Sequence, residues 1–129
     1  MKRSVIVALG ALLALPTAAG AHGPPKISGG PTGTVATTSA SFSFAYSEPA
    51  PTQKFECKLD AGAWEACGDM ANFGVMGGSG SKSYTDLADG VHTFSVRRTS
   101  SIPSDPLSDT TPATRTWTVD TTTPPAPGT

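Results

Sequence analysis

The chain is poor in the residues that most chemistry needs. It has 129 residues with two cysteines and two histidines, and no apolar run beyond the first twenty positions. A lone His92 without a patterned partner is thin material for a nucleophile–base system, so the chain reads as non-enzymatic. Positive charge is not in excess either, with nine Lys and Arg against ten Asp and Glu. Arg97-Arg98 is the one basic pair, and nothing in that balance suggests nucleic acid. The seven aspartates are spread over turns and form no Asp-x-Asp-x-Asp calcium loop. Asp60, Asp86 and Asp89 suit turn positions through bonds to their own backbone. Calcium between tandem modules would fall to Asp105, Asp109 and Asp120.

What is present begins with an export signal. Lys2 and Arg3 precede an apolar run from Val5 to Leu15, Pro16 ends it, and Ala19-Gly20-Ala21 fits a small-x-small cleavage site. The run is too short to span a bilayer. Residues 1–21 are therefore expected to be removed, leaving His22 as the first residue of a secreted or surface protein, with the periplasm as a variant of that location. Loss of Lys2 and Arg3 leaves seven basic side chains against ten acidic ones. The remainder is rich in Thr, Ser, Gly and Pro, a composition that suits short strands joined by many turns. Residues 22–34 read as a Gly/Pro-rich lead-in, with Ile27 pinning it to a sheet edge. Residues 35–120 read as one β domain, and 121–129 (TTTPPAPGT) as a linker-like tail.

Within that domain, ASFSFAY (40–46) alternates strictly, with Phe42, Phe44 and Tyr46 on one face and serines on the other. FECKLDAGAWEAC (55–67) holds both cysteines around a turn signal at Asp60-Ala61-Gly62-Ala63. A three-residue loop centred on Gly62 puts Asp60 opposite Trp64 and Cys57 opposite Cys67, close enough to bridge. A two-residue turn would pair Leu59 with Trp64 and place Cys67 in a bulge. In an oxidising setting the first arrangement predicts a disulfide, worth about 2–3 kcal/mol through chain entropy. VHTFSVRR (91–98) is a further strand, with His92, Phe94 and Val96 on one face. The last strand is 114–119, with Trp117 and Val119 inward and three threonines outward. The expected core is Phe42, Phe44, Tyr46, Phe55, Leu59, Tyr84, Leu87, Phe94, Val96, Trp117 and Val119.

The series SASFSF, FECKLDAGAWEAC, YTDLADGVHTFSVR and ATRTWTVDTTTPP resembles the Ig-like repeats of bacterial secreted and surface proteins. The resemblance covers nearly all of the chain beyond the leader. It implies an all-β, Ig-like β-sandwich of about seven antiparallel strands, and a role as spacer, stalk or adhesive module without a cofactor. The chain departs from the repeats in holding a single copy, in the length of the segment after Cys67, and in SSIPSDPLSD after the Val-Arg strand.

Two places stand out as candidate sites. The glycine-rich segment 68–81 carries Met70, Phe73, Val75 and Met76, a candidate contact loop for an extracellular protein or glycan. Residues 102–107 are a second such loop. Separately, an N-terminal His22 would offer an amine and a ring nitrogen to copper, with His92 the remaining histidine. His92 has a competing structural role, hydrogen-bonding backbone at the sheet corner after the Asp89-Gly90 turn.

Overall fold

The computed structural model describes residues 23–48, 53–69, 77–100, 102 and 110–122. Eight strands are present: β1 (Lys26–Gly29), β2 (Gly33–Val35), β3 (Ala40–Tyr46), β4 (Gln53–Leu59), β5 (Glu65–Asp69), β6 (Gly78–Tyr84), β7 (Gly90–Ser100) and β8 (Ala113–Val119). They form a three-stranded sheet, β1-β3-β6, and a five-stranded sheet, β2-β8-β7-β4-β5. The two pack as the Ig-like sandwich the sequence led us to expect. The pairing of β2 with β8 is parallel, and every other pairing is antiparallel. No helix among the described residues is long and apolar enough to cross a membrane.

Alternation explains how the sheets meet. Ala40, Phe42, Phe44 and Tyr46 of β3 are buried while Ser41 and Ser43 are exposed. They face Phe55 and Cys57 of β4, Phe94 and Val96 of β7, and Trp117 and Val119 of β8. The Phe42 and Phe94 rings stack across the sandwich at 4.1 Å between centroids, and Phe44 meets Phe55 edge-on at 5.0 Å. Such aromatic pairs add stabilisation of about 0.5–1.5 kcal/mol beyond the area they bury. Leu59 and Tyr84, expected in the core, are partly buried at its margin.

Three local expectations need correcting. Segment 68–81 is not one loop, because Gly68 belongs to β5 and residues 78–81 to β6. The small residues of β6 are required by packing: a Cβ at Gly80 would lie 2.7 Å from the Phe44 ring. The lead-in is itself part of the sandwich: Ile27 does pin it to a sheet edge, in β1 opposite Phe44, and Gly33 and Thr34 of β2 lie opposite Trp117 and Thr118.

The cysteine hairpin departs from the arrangement with Cys57 directly opposite Cys67 and shows the bulge at Cys67 that the alternative turn requires. Cys57 opposes Glu65 and Phe55 opposes Gly68, with a bulge between that contains Cys67. The disulfide forms from this bulged position, across a Cα separation of 5.7 Å. The turn shifts because Asp60 leaves the hairpin ladder: it adopts φ 53° and its N–H donates to Thr93 O on β7. Asp is among the few non-glycine residues that enter this left-handed region readily. An intramolecular disulfide points to a non-reducing environment.

Candidate functional site

Polar side chains gather in three places, and each is set by strand phase. The first lies at the pole where the turns at 36–39, 60–64 and 85–89 meet the end of β8. His92 follows the Asp89-Gly90 turn in phase with Phe94 and Trp117, so its ring enters the sandwich mouth, 5.5 Å from the Trp117 ring centroid. Its Nε2 donates to Ala88 O at 2.7 Å, because a carbonyl can only accept, and its Nδ1 pairs with Asp60 Oδ2 at 2.8 Å. The side chain is only 11% exposed. The Ala88 bond raises its pKa most, the Asp60 hydrogen bond adds to this, and burial opposes both. Asp60 also accepts from Thr93 N–H through Oδ1 at 2.7 Å.

The same pole holds the outgoing chain. Asp89 Oδ1 accepts from the N–H and hydroxyl of Thr121 at 3.1 and 2.7 Å. Asp120 accepts from the N–H and hydroxyl of Thr122, which lowers its pKa. Nearby, the Tyr84 hydroxyl is buried without a hydrogen-bond partner among the described residues. Burial first, then the Glu65 and Asp60 carboxylates, push this phenol up to about 12.

The opposite pole is organised by Arg98. It continues the inward phase of Phe94 and Val96 on β7 and is completely buried. Its guanidinium lies 4.0 Å from the Tyr46 ring centroid, donates to Gln53 Oε1 at 2.6 Å, and reaches Gly23 O at 3.3 Å. Read as part of a basic pair, Arg98 gave no sign of burial, although the alternation from Phe94 placed it inward.

The third cluster covers the outer face of the five-stranded sheet. Arg97 donates Nε and Nη2 to Glu56 Oε1 at 3.0 and 2.7 Å while lying 4.1 Å from the Trp64 ring centroid. Lys58 Nζ stands 5.0 Å from the same ring. Both cations are therefore already stacked on the aromatic that a ligand would use.

The candidate residues of the sequence distribute unevenly over this frame. Met70, Phe73, Val75, Met76 and His22 lie outside the described residues, as do Asp105 and Asp109. Gly23, the first described residue, sits at Arg98, six residues along β7 from His92 and about 20 Å away at the rise of a strand. Both nitrogens of His92 are engaged, one with Ala88 O and the other with Asp60 Oδ2. No group of three or more His, Cys, Asp or Glu residues among the described ones could hold a metal ion. The structural role for His92, bonding the backbone beside Asp89, is the one its contacts support. Comparison with known proteins returned nothing: no family model, no curated protein and no solved structure matches the chain.

Proposed function

We propose that the protein is an exported, non-catalytic Ig-like module that serves as a spacer or adhesive element at the cell exterior. One observation carries this reading. The described chain starts at one pole, with Gly23 held by Arg98, and leaves at the other, with Thr121 held by Asp89. Ends at opposite poles let a domain hold two things apart, or link head to tail with others. The disulfide and the export signal fit an extracellular setting.

The test is the intact mass of the protein recovered from the source cells and their medium, before and after reduction and alkylation. The reading expects a chain beginning at His22, found outside the cytoplasm, whose two thiols alkylate only after reduction. A cytoplasmic chain that keeps residues 1–21 and has free thiols would remove it.

A further inference from the structure

We propose that the β6 edge is a docking surface for a second copy of this chain, the two β6 strands pairing antiparallel about Ser81. The pairing goes beyond the spacer reading and does not depend on it. Four strands end the two sheets, β1 and β6 in one and β2 and β5 in the other. Exposed edges invite pairing with another chain, and folds blunt them with short strands and bulges. Three of these edges are blunted in that way. β2 has three residues, β1 has four with a register shift between Ile27 and Gly29, and β5 is broken by the bulge at Cys67. β6 is different: its seven residues pair with β3 without a shift, and it contains no proline. No backbone hydrogen bond among the described residues reaches its outer side.

The strand is complementary to itself. It reads GSGSKSY, with the serines exposed and the alternate residues half-buried. In an antiparallel pair centred on Ser81, Ser79 meets Ser83 of the second copy, Gly80 meets Lys82 and Gly78 meets Tyr84. Each glycine thus faces a long side chain and each serine faces a serine, with no like charges opposed. Among registers that keep the buried faces on one side, this one alone pairs the whole strand. Centring instead on Lys82 would set two cations against each other. The hydroxyls of Ser41 and Ser83 already make a cross-strand contact between serines, at 2.6 Å. Inward-pointing charges often guard an edge, but Lys82 is drawn back onto its own molecule. Its Nζ lies 3.8 Å from Glu65 Oε1 on β5 and 5.5 Å from the Tyr84 ring centroid. Pairing joins the three-stranded sheets of two molecules into one, with main-chain bonds supplying the affinity.

Sedimentation equilibrium on the full oxidised chain tests this, with cysteine cross-linking as an independent readout. The unaltered protein should pass from monomer to dimer as its concentration rises. Ser81→Glu sets two carboxylates opposite each other only in the dimer, at a position exposed in the monomer. It should raise the dissociation constant about tenfold or more. Ser81→Gln, similar in size and uncharged, should still dimerise. Ser81→Cys should form a disulfide-linked dimer under mild oxidation, because opposed Cα atoms stand about 4.5–5.5 Å apart. Ser43→Cys, opposite Ser81 on β3, should not, since its two copies would be three strand spacings apart, about 14 Å. A chain that stays monomeric up to about 1 mM, a dimer indifferent to Ser81→Glu, or equal cross-linking of the two cysteine variants would overturn the proposal. So would a monomer whose outward β6 amides resist hydrogen exchange, an edge covered by its own chain, or a Ser81→Cys variant that cross-links to another protein in the source cells. Should Ser81→Glu fail to fold, the pair of cysteine variants still decides.

Discussion

At one pole a single buried cation, Arg98, gathers Gln53, the Tyr46 ring and the Gly23 carbonyl. At the other, carboxylates at the surface do the gathering: Asp60 holds His92 and Thr93, while Asp89 holds Thr121. Gly23 and Thr121 are thus fastened by opposite charges in opposite dielectric settings. A buried charge is held strongly because losing its partners leaves it unsolvated. An exposed carboxylate is held weakly, because water replaces each lost bond. Gly23 should therefore be fixed by a cooperative part of the fold. Thr121 should depend on local, solvent-sensitive bonds.

The largest effect should come from breaking the buried pole. Arg98→Ala removes the cation, leaves Gln53 short of a donor and opens a cavity beneath Tyr46. From the cavity and the lost buried hydrogen bonds, the expected loss is about 2–5 kcal/mol. Urea unfolding at neutral pH would measure it, and a loss under 1 kcal/mol would show that the poles do not differ in the way their burial suggests. Second in size is the hairpin that carries Asp60 to the other pole. Replacing Cys57 and Cys67 together by alanine should cost about 2–3 kcal/mol, the chain-entropy value for so short a loop. Hydrogen exchange at Thr93 should then separate two cases. If the turn is held by its bonds to β7, protection there falls only as far as global stability does. If the disulfide holds it, Thr93 exchanges ahead of the rest of β7.

The contrast between the poles also shows which parts of the molecule were legible beforehand. Strand β3 and the aromatic core could be read because strict alternation with large apolar residues has one physical solution, a sheet wet on one side. The disulfide could be read because the chain's two cysteines lie on the two arms of one hairpin, within bridging reach. Its register could not, since the Asp60 backbone bond to Thr93 joins residues 33 apart, and that contact moves the turn. Arg98 was hidden for a different reason: its phase was correct, but a guanidinium is seldom wholly buried. β6 gave no apolar signal because Phe44 leaves room only for glycine at position 80. Of the candidate site residues, His92 was correctly placed beside the turn backbone, while its ion pair with Asp60 spans 32 positions and left no local trace.

A smaller effect is expected from the carboxylate pole itself. Asp60→Gly keeps access to the left-handed conformation that the turn needs, so the change reports the side-chain bonds. Loss of the acceptor for both His92 and Thr93 should cost about 1–2 kcal/mol. A cost as large as that of Arg98→Ala would erase the distinction between the poles.

The smallest effect is the one that proton binding can tune. In the folded protein the Ala88 carbonyl, followed by the Asp60 carboxylate, raises the His92 pKa above its ordinary value of about 6.5. A group raised in this way contributes its full stabilisation below the unfolded pKa and loses it as pH climbs through the folded one. Stability should therefore decline with rising pH on the alkaline side of about 6.5, with the Ala88 and Asp60 contacts weakening as the proton leaves. His92→Gln has no such proton to lose. The difference between the two stability–pH curves thus isolates this one ring. Chemical denaturation at closely spaced pH values should show it narrowing as pH rises, with no counterpart at the Arg98 pole, whose guanidinium stays charged throughout. Parallel curves would mean that folding leaves the His92 pKa unshifted and that the turn pole is not held by charge.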